Sequence, residues 1–175
     1  WLSNNLPEDS IVTNGAGNYA AFLHRYFAFK EYPTAIGPTS GSMGYGFPAS
    51  IAAKLRFPDK TVICLAGDGC FQMTLNEMST AAQNKLAIIV IVVNNGKYAT
   101  IRMHQEKNYP GRVSGTELHK PDFAALAKAY GGFGIKVQKT EDFVAAYNEA
   151  VASGLLSVIE LQIDDEVLST SQTVS

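Results

Sequence analysis

Two unbroken apolar runs constrain the fold of this 175-residue chain more than any other feature. Val62–Leu65 and Ile88–Val93 consist of β-branched and other apolar residues. Runs without polar alternation are typical of strands buried on both faces of a parallel sheet. Parallel strands need a crossover connection, and a helix predicted over Leu75–Asn84 makes this one of ordinary length for a βαβ unit. The sequence therefore predicts an α/β fold.

The alternation of short apolar runs and helical segments extends along the whole chain. Further strands are predicted at 10–13, 34–36, 134–137 and 157–163, and helices at 18–29, 49–55, 100–104, 122–130 and 141–153, with a polar loop over 106–121. This pattern predicts a three-layer α/β/α sandwich around a central, mostly parallel sheet, formed by one domain over residues 1–175. Because the chain opens at Trp1 without a methionine, we expect it to be a fragment of a longer multidomain protein.

Composition argues against several classes of partner. A net charge of -2, with a pI near 5.9 and no basic stripe, gives no electrostatic case for binding nucleic acid. The apolar runs are of strand length, and no basic segment precedes one at the start, so neither a membrane span nor a signal peptide is predicted. Cys64 and Cys70 are expected to be reduced thiols, which favours a cytoplasmic setting.

Polar residues follow both apolar runs where the predicted strands end. Gly67-Asp68-Gly69 follows the first run, and Asn94-Asn95 follows the second after a gap of 24 residues. The carboxyl ends of parallel strands are where open α/β sheets bind ligands. Carboxylate and amide oxygens suit Mg²⁺, which takes its remaining ligands from phosphate and water. By itself Gly-Asp-Gly is also an ordinary glycine turn, but the pair of motifs favours a metal and diphosphate site.

This pair of motifs resembles the signature of thiamine diphosphate-dependent enzymes, and the whole chain resembles their diphosphate-binding domain of the acetolactate synthase and benzoylformate decarboxylase type. The resemblance implies a thiamine diphosphate-binding fold, thiamine diphosphate and Mg²⁺ as cofactors, and a 2-keto acid substrate that is decarboxylated or ligated. It implies that the side chains of Asp68 and Asn95 and the backbone carbonyl of Lys97 bind the metal.

The resemblance also implies residues that hold the diphosphate. Gly67 allows close approach of the backbone to an anion. Gly69 and Cys70 would offer N–H groups from the start of the following helix, and Tyr98 and Ala99 would do so from the next helix.

Two upstream segments resemble further cofactor contacts in the family. The Gly41 carbonyl would accept a hydrogen bond from the aminopyrimidine, and Met43 would wedge the cofactor into its bent conformation; alternatively, Met43 is a core residue. The turn containing Gly17, Asn18 and Tyr19 would contact the diphosphate side, although Asn18 also reads as a simple helix cap.

The short helix after Asn-Asn lines the substrate pocket in the acetolactate synthase pattern, which implies Thr100, Ile101 and His104 here. His104 replaces a tryptophan of acetohydroxyacid synthases and is a candidate catalytic proton donor, the alternative being an exposed helix histidine. Arg102 would attract a substrate carboxylate or lie solvated at the surface.

The glutamate that activates the cofactor in this family belongs to a pyrimidine-binding domain, and nothing in this chain resembles that domain. The resemblance therefore implies a pyrimidine-binding domain on the same or another chain as partner, a homodimer or homotetramer, and an inactive isolated fragment. Two alternatives stay open: a non-catalytic or regulatory cofactor-binding module, and another nucleotide-binding α/β protein whose Gly-Asp-Gly is coincidental.

Overall fold

Six strands form one sheet in the computed structural model, which describes residues 1–171 and 173, and all neighbouring strands are parallel. Residues 172, 174 and 175 of the predicted domain lie outside the described residues. In chain order the strands are β1 (Ile11–Asn14), β2 (Ala35–Ile36), β3 (Val62–Gly67), β4 (Ile89–Asn94), β5 (Phe133–Val137) and β6 (Ser157–Gln162). Their order across the sheet is β2-β1-β3-β4-β6-β5. The sheet predicted to be mostly parallel is parallel throughout the described residues.

Eight α-helices accompany these strands within the described residues. They are α1 (Leu2–Asn5), α2 (Tyr19–Tyr26), α3 (Gly46–Arg56), α4 (Asp68–Gln72), α5 (Met78–Gln83), α6 (Ala99–Asn108), α7 (Phe123–Ala129) and α8 (Phe143–Ser153). The predicted crossover helix is split into a 3-10 turn at Leu75–Glu77 and α5. The helix predicted at 100–104 is twice as long as expected, because α6 continues into the segment predicted as a loop.

Alternate residues of the central strands pack into two separate apolar layers. Val62, Cys64 and Ala66 of β3 contact the layer formed with α3, α5 and α7, whereas Ile63 faces the layer formed with α2 and α8. Each fully buried Val or Ile side chain contributes roughly 1.5–3 kcal/mol to stability. Both faces of the sheet are thus covered, and the predicted three-layer sandwich is confirmed.

The strand order creates a crevice between β1 and β3. The chain leaves β1 towards β2 on one side and leaves β3 towards β4 on the other. Accordingly α2, after β1, packs on one face of the sheet, and α5, after β3, packs on the opposite face. Connections that diverge in this way open a ligand-binding crevice at the carboxyl ends of the two strands.

Two further expectations concern cysteines and membrane spans. Cys64 and Cys70 are buried free thiols, as predicted, and burial raises the pKa of Cys64 to about 12. Among the helices of the described residues, none combines the length and the apolar character needed to span a bilayer.

Two helices begin after an aspartate, but only one of these aspartates caps its helix. Asp122 Oδ1 accepts a hydrogen bond from the Ala125 N–H at 2.8 Å, whereas Asp142 makes no side-chain cap bond to α8. We expect Asp122→Ala to lower the free energy of unfolding by about 1 kcal/mol, since it removes a helix cap. Asp142→Ala, the matched control, should change it by less than about 0.5 kcal/mol. Urea denaturation measures both.

The effect of Asp122→Ala should depend on pH. The ion pair with Lys136, together with the bond from Ala125, holds the pKa of Asp122 below its usual range. A lowered carboxyl pKa stabilises the fold above the unfolded value of about 3.9, and this contribution disappears as the pH falls through the lower folded value. The gap in stability between wild type and Asp122→Ala should therefore narrow below about pH 4. A gap that stays constant to pH 2 would show that the charge of Asp122 has no part in it.

Candidate cofactor and metal site

A cleft of about 620 Å³ opens at the carboxyl ends of β1, β3 and β4. Of the residues predicted to bind cofactor, metal or substrate, all except Gly41, Arg102 and His104 line it. A larger cleft of about 1450 Å³ lies beside α2 and α8. Its walls are formed mainly by aromatic and aliphatic side chains such as Phe22 and Phe143. The polar chemistry is concentrated in the smaller cleft, which is therefore the candidate site.

Asp68 is the first residue of α4 and lies directly after β3, with 4% of its surface exposed. Its Oδ1 accepts a hydrogen bond from the Gly69 N–H, and its Oδ2 accepts one from the Gly96 N–H, both at 2.8 Å. Burial raises the pKa of Asp68, and these backbone hydrogen bonds oppose that rise. Each carboxylate oxygen has a second lone pair, so the group is fixed in place and can still bind a cation.

Asn95 follows β4 and is 6% exposed. Its Oδ1 accepts a hydrogen bond from the Lys97 N–H, and its Nδ2 donates to the Val167 carbonyl, both at 3.2 Å. The Lys97 side chain turns towards Asp165, whose carbonyl lies 3.0 Å from Nζ. An ammonium group has no lone pair to offer a cation, so Lys97 could bind one only through its backbone carbonyl, and this role stays a prediction.

The oxygen atoms of Asp68, Asn95 and Lys97 fit a hard cation that takes its other ligands from an anion. Within residues 1–171 and 173 there is no cluster of three or more His, Cys, Asp or Glu residues that could hold a metal. One carboxylate, one amide oxygen and one backbone carbonyl leave room for phosphate oxygens and water, which is the coordination Mg²⁺ prefers. The residues therefore fit Mg²⁺ with a diphosphate.

Tyr19 closes the crevice between β1 and β3. Its ring packs so closely on two glycines that a Cβ on Gly17 or Gly67 would lie 2.7 Å from a ring carbon. Its hydroxyl accepts a hydrogen bond from the Gly15 N–H at 3.0 Å and donates to Cys70 Sγ at 3.1 Å. Burial is the main reason that the pKa of Tyr19 is raised. The hydroxyl is committed to protein contacts, so only the ring faces the cleft.

The Cys70 sulfur joins three loops that the sequence does not connect. It accepts hydrogen bonds from the Tyr19 hydroxyl and from the Gly44 N–H, each at 3.1 Å. It also occupies the space beside Gly15, where an added Cβ would lie 2.4 Å away. Sequence reasoning assigned Cys70 only a backbone role, because nothing in a linear pattern reports on such convergence.

Asn18 stands at the start of α2 but does not cap it. It has helical backbone angles and no side-chain cap bond. Its Oδ1 accepts from the Thr100 hydroxyl at 2.9 Å, and its Nδ2 donates to the Leu168 carbonyl at 2.8 Å. The simple cap interpretation is therefore wrong, and Asn18 instead ties α2 to α6 at the edge of the cleft.

Three expectations about individual residues need correction. The Tyr98 N–H donates to the Thr116 carbonyl at 2.9 Å, so it is not free to bind a diphosphate, although the ring lines the cleft. The Gly69 N–H, predicted to be another such donor, is engaged with Asp68 Oδ1 at 2.8 Å. His104 lies exposed on α6 outside the cleft, about one helical turn beyond Thr100 and Ile101, which line it. Gly41 lies outside the lining as well, and the hydrogen bond from the aminopyrimidine to its carbonyl stays a prediction.

Two alternatives about side chains are also resolved. Met43 lines the cleft and is 36% exposed, so its interpretation as a core residue is wrong. Arg102 is neither a solvated arginine nor a free carboxylate receptor, since it is 5% exposed and forms an ion pair with Glu106. The sequence did not indicate that Arg102 would be buried, because its ion pair with Glu106 forms only when α6 extends past His104.

The role of the Tyr19 hydroxyl can be tested by Tyr19→Phe. The change leaves the Gly15 N–H without its acceptor in a partly buried place, so we expect a loss of about 1–3 kcal/mol in the free energy of unfolding. Tyr147→Phe is the matched control, because the Tyr147 hydroxyl makes no hydrogen bond to the described residues and its ring is buried in the apolar layer of α2 and α8. Chemical denaturation of both variants checks this. Equal losses in the two would contradict a role for the hydroxyl.

Comparison with known proteins places the chain in a family. The family model described as "Thiamine pyrophosphate enzyme, C-terminal TPP binding domain" matches residues 15–161. Thiamine pyrophosphate is another name for thiamine diphosphate. The acetolactate synthase large subunit of Buchnera aphidicola subsp. Schizaphis graminum is 34% identical over 161 residues, which are 89% of this chain and 28% of that protein. The acetolactate synthase isozyme 3 large subunit of Escherichia coli is 33% identical over the same share of each chain.

Solved structures agree with this assignment. Thiamine diphosphate-dependent 4-hydroxybenzoylformate decarboxylase from Rhodococcus jostii RHA1 matches with a TM-score of 0.86 and 30% identity, covering 93% of this chain and 31% of that one. Benzoylformate decarboxylase from Polynucleobacter necessarius matches with a TM-score of 0.85 and 26% identity, covering 95% and 32%. The chain thus spans less than a third of the length of these relatives. It belongs to the family of C-terminal thiamine pyrophosphate-binding domains of thiamine pyrophosphate enzymes.

Proposed function

We propose that this chain supplies the diphosphate- and Mg²⁺-binding half of the cofactor site in an acetolactate synthase-like enzyme that decarboxylates or ligates 2-keto acids. The observation that carries the proposal is the placement of Asp68 and Asn95, which are buried at the ends of the adjacent strands β3 and β4 and joined through the Gly96 N–H. The similarity to acetolactate synthase large subunits supports the substrate class.

Five residues of the cleft have a defined task in this proposal. Asp68, Asn95 Oδ1 and the Lys97 carbonyl hold Mg²⁺, which neutralises the diphosphate. Gly67 and Gly69 make room for the Tyr19 and Tyr98 rings that line the cleft, since a Cβ at either position would lie 2.7 Å from a ring carbon. When bound, the cofactor supplies the electron sink for cleavage next to the keto group. The chain's own contribution is to bind and orient the cofactor.

The proposal extends to the protein around this chain. We infer that residues 1–175 form one domain of a longer cytoplasmic enzyme, and that a pyrimidine-binding domain from the same or another chain completes the site in a homodimer or homotetramer. The share of the relatives' length that the chain covers, 28%, leaves room for such a domain. Met43, Thr100 and Ile101 line the cleft, which supports assigning them to contacts with the rest of the cofactor and the substrate.

Metal-dependent binding should disappear in Asp68→Ala. We expect the full-length protein to bind thiamine diphosphate only with Mg²⁺, and the variant to bind at least about 100-fold more weakly, since it loses a direct metal ligand where even outer-shell changes cost 10–100-fold. Calorimetric titration with thiamine diphosphate plus Mg²⁺ measures this. Titrations with ATP and NAD test the alternative of a nucleotide-binding protein.

Asp59→Ala is the matched control for Asp68→Ala, because it removes the same charge from an exposed turn before β3, at the opposite end of that strand. It should leave the affinity unchanged. Asn95→Ala provides a second test that spares the hydrogen bonds of Asp68. Wild-type affinity in both Asp68→Ala and Asn95→Ala would refute the proposed metal site.

The isolated 175-residue chain should not decarboxylate pyruvate. The glutamate that activates the cofactor in this family lies on the pyrimidine-binding domain, so this chain can only anchor the cofactor, and weakly. An assay of carbon dioxide release from pyruvate by the purified chain, with the cofactor and Mg²⁺ in excess, measures this. Release above the rate of free cofactor would show that the chain completes the site without another domain.

A further inference from the structure

A buried carboxylate lies behind the proposed metal site without belonging to it. Glu160 is in β6, and 1% of its surface is exposed. Its Oε1 accepts a hydrogen bond from Asn94 Nδ2 at 2.9 Å. Its Oε2 accepts from the Phe123 N–H at 3.1 Å and the Ala124 N–H at 3.4 Å, at the start of α7. A carboxylate so buried is stable only because donors converge on it.

The register of the sheet explains why Glu160 reaches the residue before the metal ligand. Glu160 is paired with Val92 of β4, and Asn94 lies two residues farther along that strand. Residues two apart in a strand project from the same face. Glu160 and Asn94 therefore share the face covered by α7, beside the turn that carries Asn95.

Asn94 connects Glu160 to the proposed metal site through hydrogen bonds. Its Oδ1 accepts from the Gly96 N–H at 3.2 Å, and the same N–H donates to Asp68 Oδ2 at 2.8 Å. A carboxylate can only accept, so the NH₂ of Asn94 must face Glu160 and its oxygen must face Gly96. Glu160 thereby determines which atom of Asn94 is presented to the turn.

We propose that Glu160 is a positioning residue of the metal site, which acts through Asn94 to orient the Asn95-Gly96 turn against Asp68. The inference rests on the proposed function and deepens it. The carboxylate touches neither the cleft nor the metal ligands, so its effect on the metal passes through the side chain of Asn94.

Glu160→Gln tests this because it keeps the volume of the side chain and changes only its donors and acceptors. In the wild type, three N–H donors converge on the two carboxylate oxygens of Glu160, whereas the new amide offers them one oxygen. If its NH₂ faces Asn94, two NH₂ groups oppose each other, and Asn94 turns its own NH₂ towards the Gly96 N–H. We expect Mg²⁺ to bind 10–100-fold more weakly, as is typical when an outer-shell partner is lost.

The measurement is a calorimetric titration of Mg²⁺ into the full-length protein at saturating thiamine diphosphate, repeated with Mn²⁺ and detected by electron paramagnetic resonance. Asp122→Ala is the matched control, because it weakens the start of the same helix without touching Asn94. It should lower stability and leave the metal affinity unchanged. A purely structural role of Glu160 through α7 would instead give both variants the same metal affinity.

A polarity swap gives a rescue test. In the double variant Glu160→Gln/Asn94→Asp, the new amide can donate to the new carboxylate, which can still accept from the Gly96 N–H. We expect it to bind Mg²⁺ within about threefold of wild type, although each single change weakens binding; neighbours in one hydrogen-bond network are non-additive in this way.

Three results would overturn the inference. They are a Mg²⁺ affinity of Glu160→Gln within twofold of wild type, an equal loss of Mg²⁺ affinity in Asp122→Ala, or a double variant that binds Mg²⁺ no better than Glu160→Gln. If Glu160→Gln does not fold, Asn94→Ala breaks the same link and leaves the bonds to α7 in place; unchanged metal affinity there also overturns it. A wild-type protein that binds Mg²⁺ and thiamine diphosphate in neither titration refutes the proposed function, and this inference with it.

Discussion

The hydrogen bond from the Gly96 N–H to Asp68 Oδ2 holds the site together, because it joins the turns after the two central strands. β3 and β4 pair in parallel up to Gly67 and Val93, and the backbone then diverges into α4 and the turn before α6. Without a link beyond the last pair, the two turns would be free to separate. With it, the Asp68 carboxylate and the Asn95 amide are held beside each other at the carboxyl ends of the two strands, and their remaining lone pairs face a common cleft.

The opposite wall of the cleft depends on a different kind of contact. The Tyr19 ring packs on Gly17 and Gly67, and its hydroxyl meets the Cys70 sulfur, which also receives the Gly44 N–H. Glycine is required where this ring approaches, since a Cβ would overlap it. One thiol and one phenol thus connect the loop after β1, the loop before α3 and the start of α4. The shape of the cleft is set by these contacts, and its charge by Asp68.

Much of the fold follows from local patterns in the sequence. Long apolar runs have few alternatives to a buried strand, so β3, β4 and β6 were predicted nearly to their ends. Boundaries set by tertiary contacts were not predictable in this way. α6 runs past His104 to Asn108 because Arg102 and Glu106 pair and the Gly111 N–H donates to Glu106. α2 ends at Tyr26, before the predicted Phe29, since the chain there turns away as extended backbone.

The sequence by itself determined which chemical groups stand at the strand ends, since Gly-Asp-Gly and Asn-Asn follow apolar runs typical of buried strands. It thereby also determined the family and most of the cleft-lining residues. Only the tertiary structure decided the roles of side chains whose partners are distant in the chain: Asn18 with Thr100, Cys70 with Gly44, and Glu160 with Asn94. The reason is that strand and helix periods are local properties of the chain. A hydrogen bond between residues 82 positions apart, as between Asn18 and Thr100, depends on the packing of the layers.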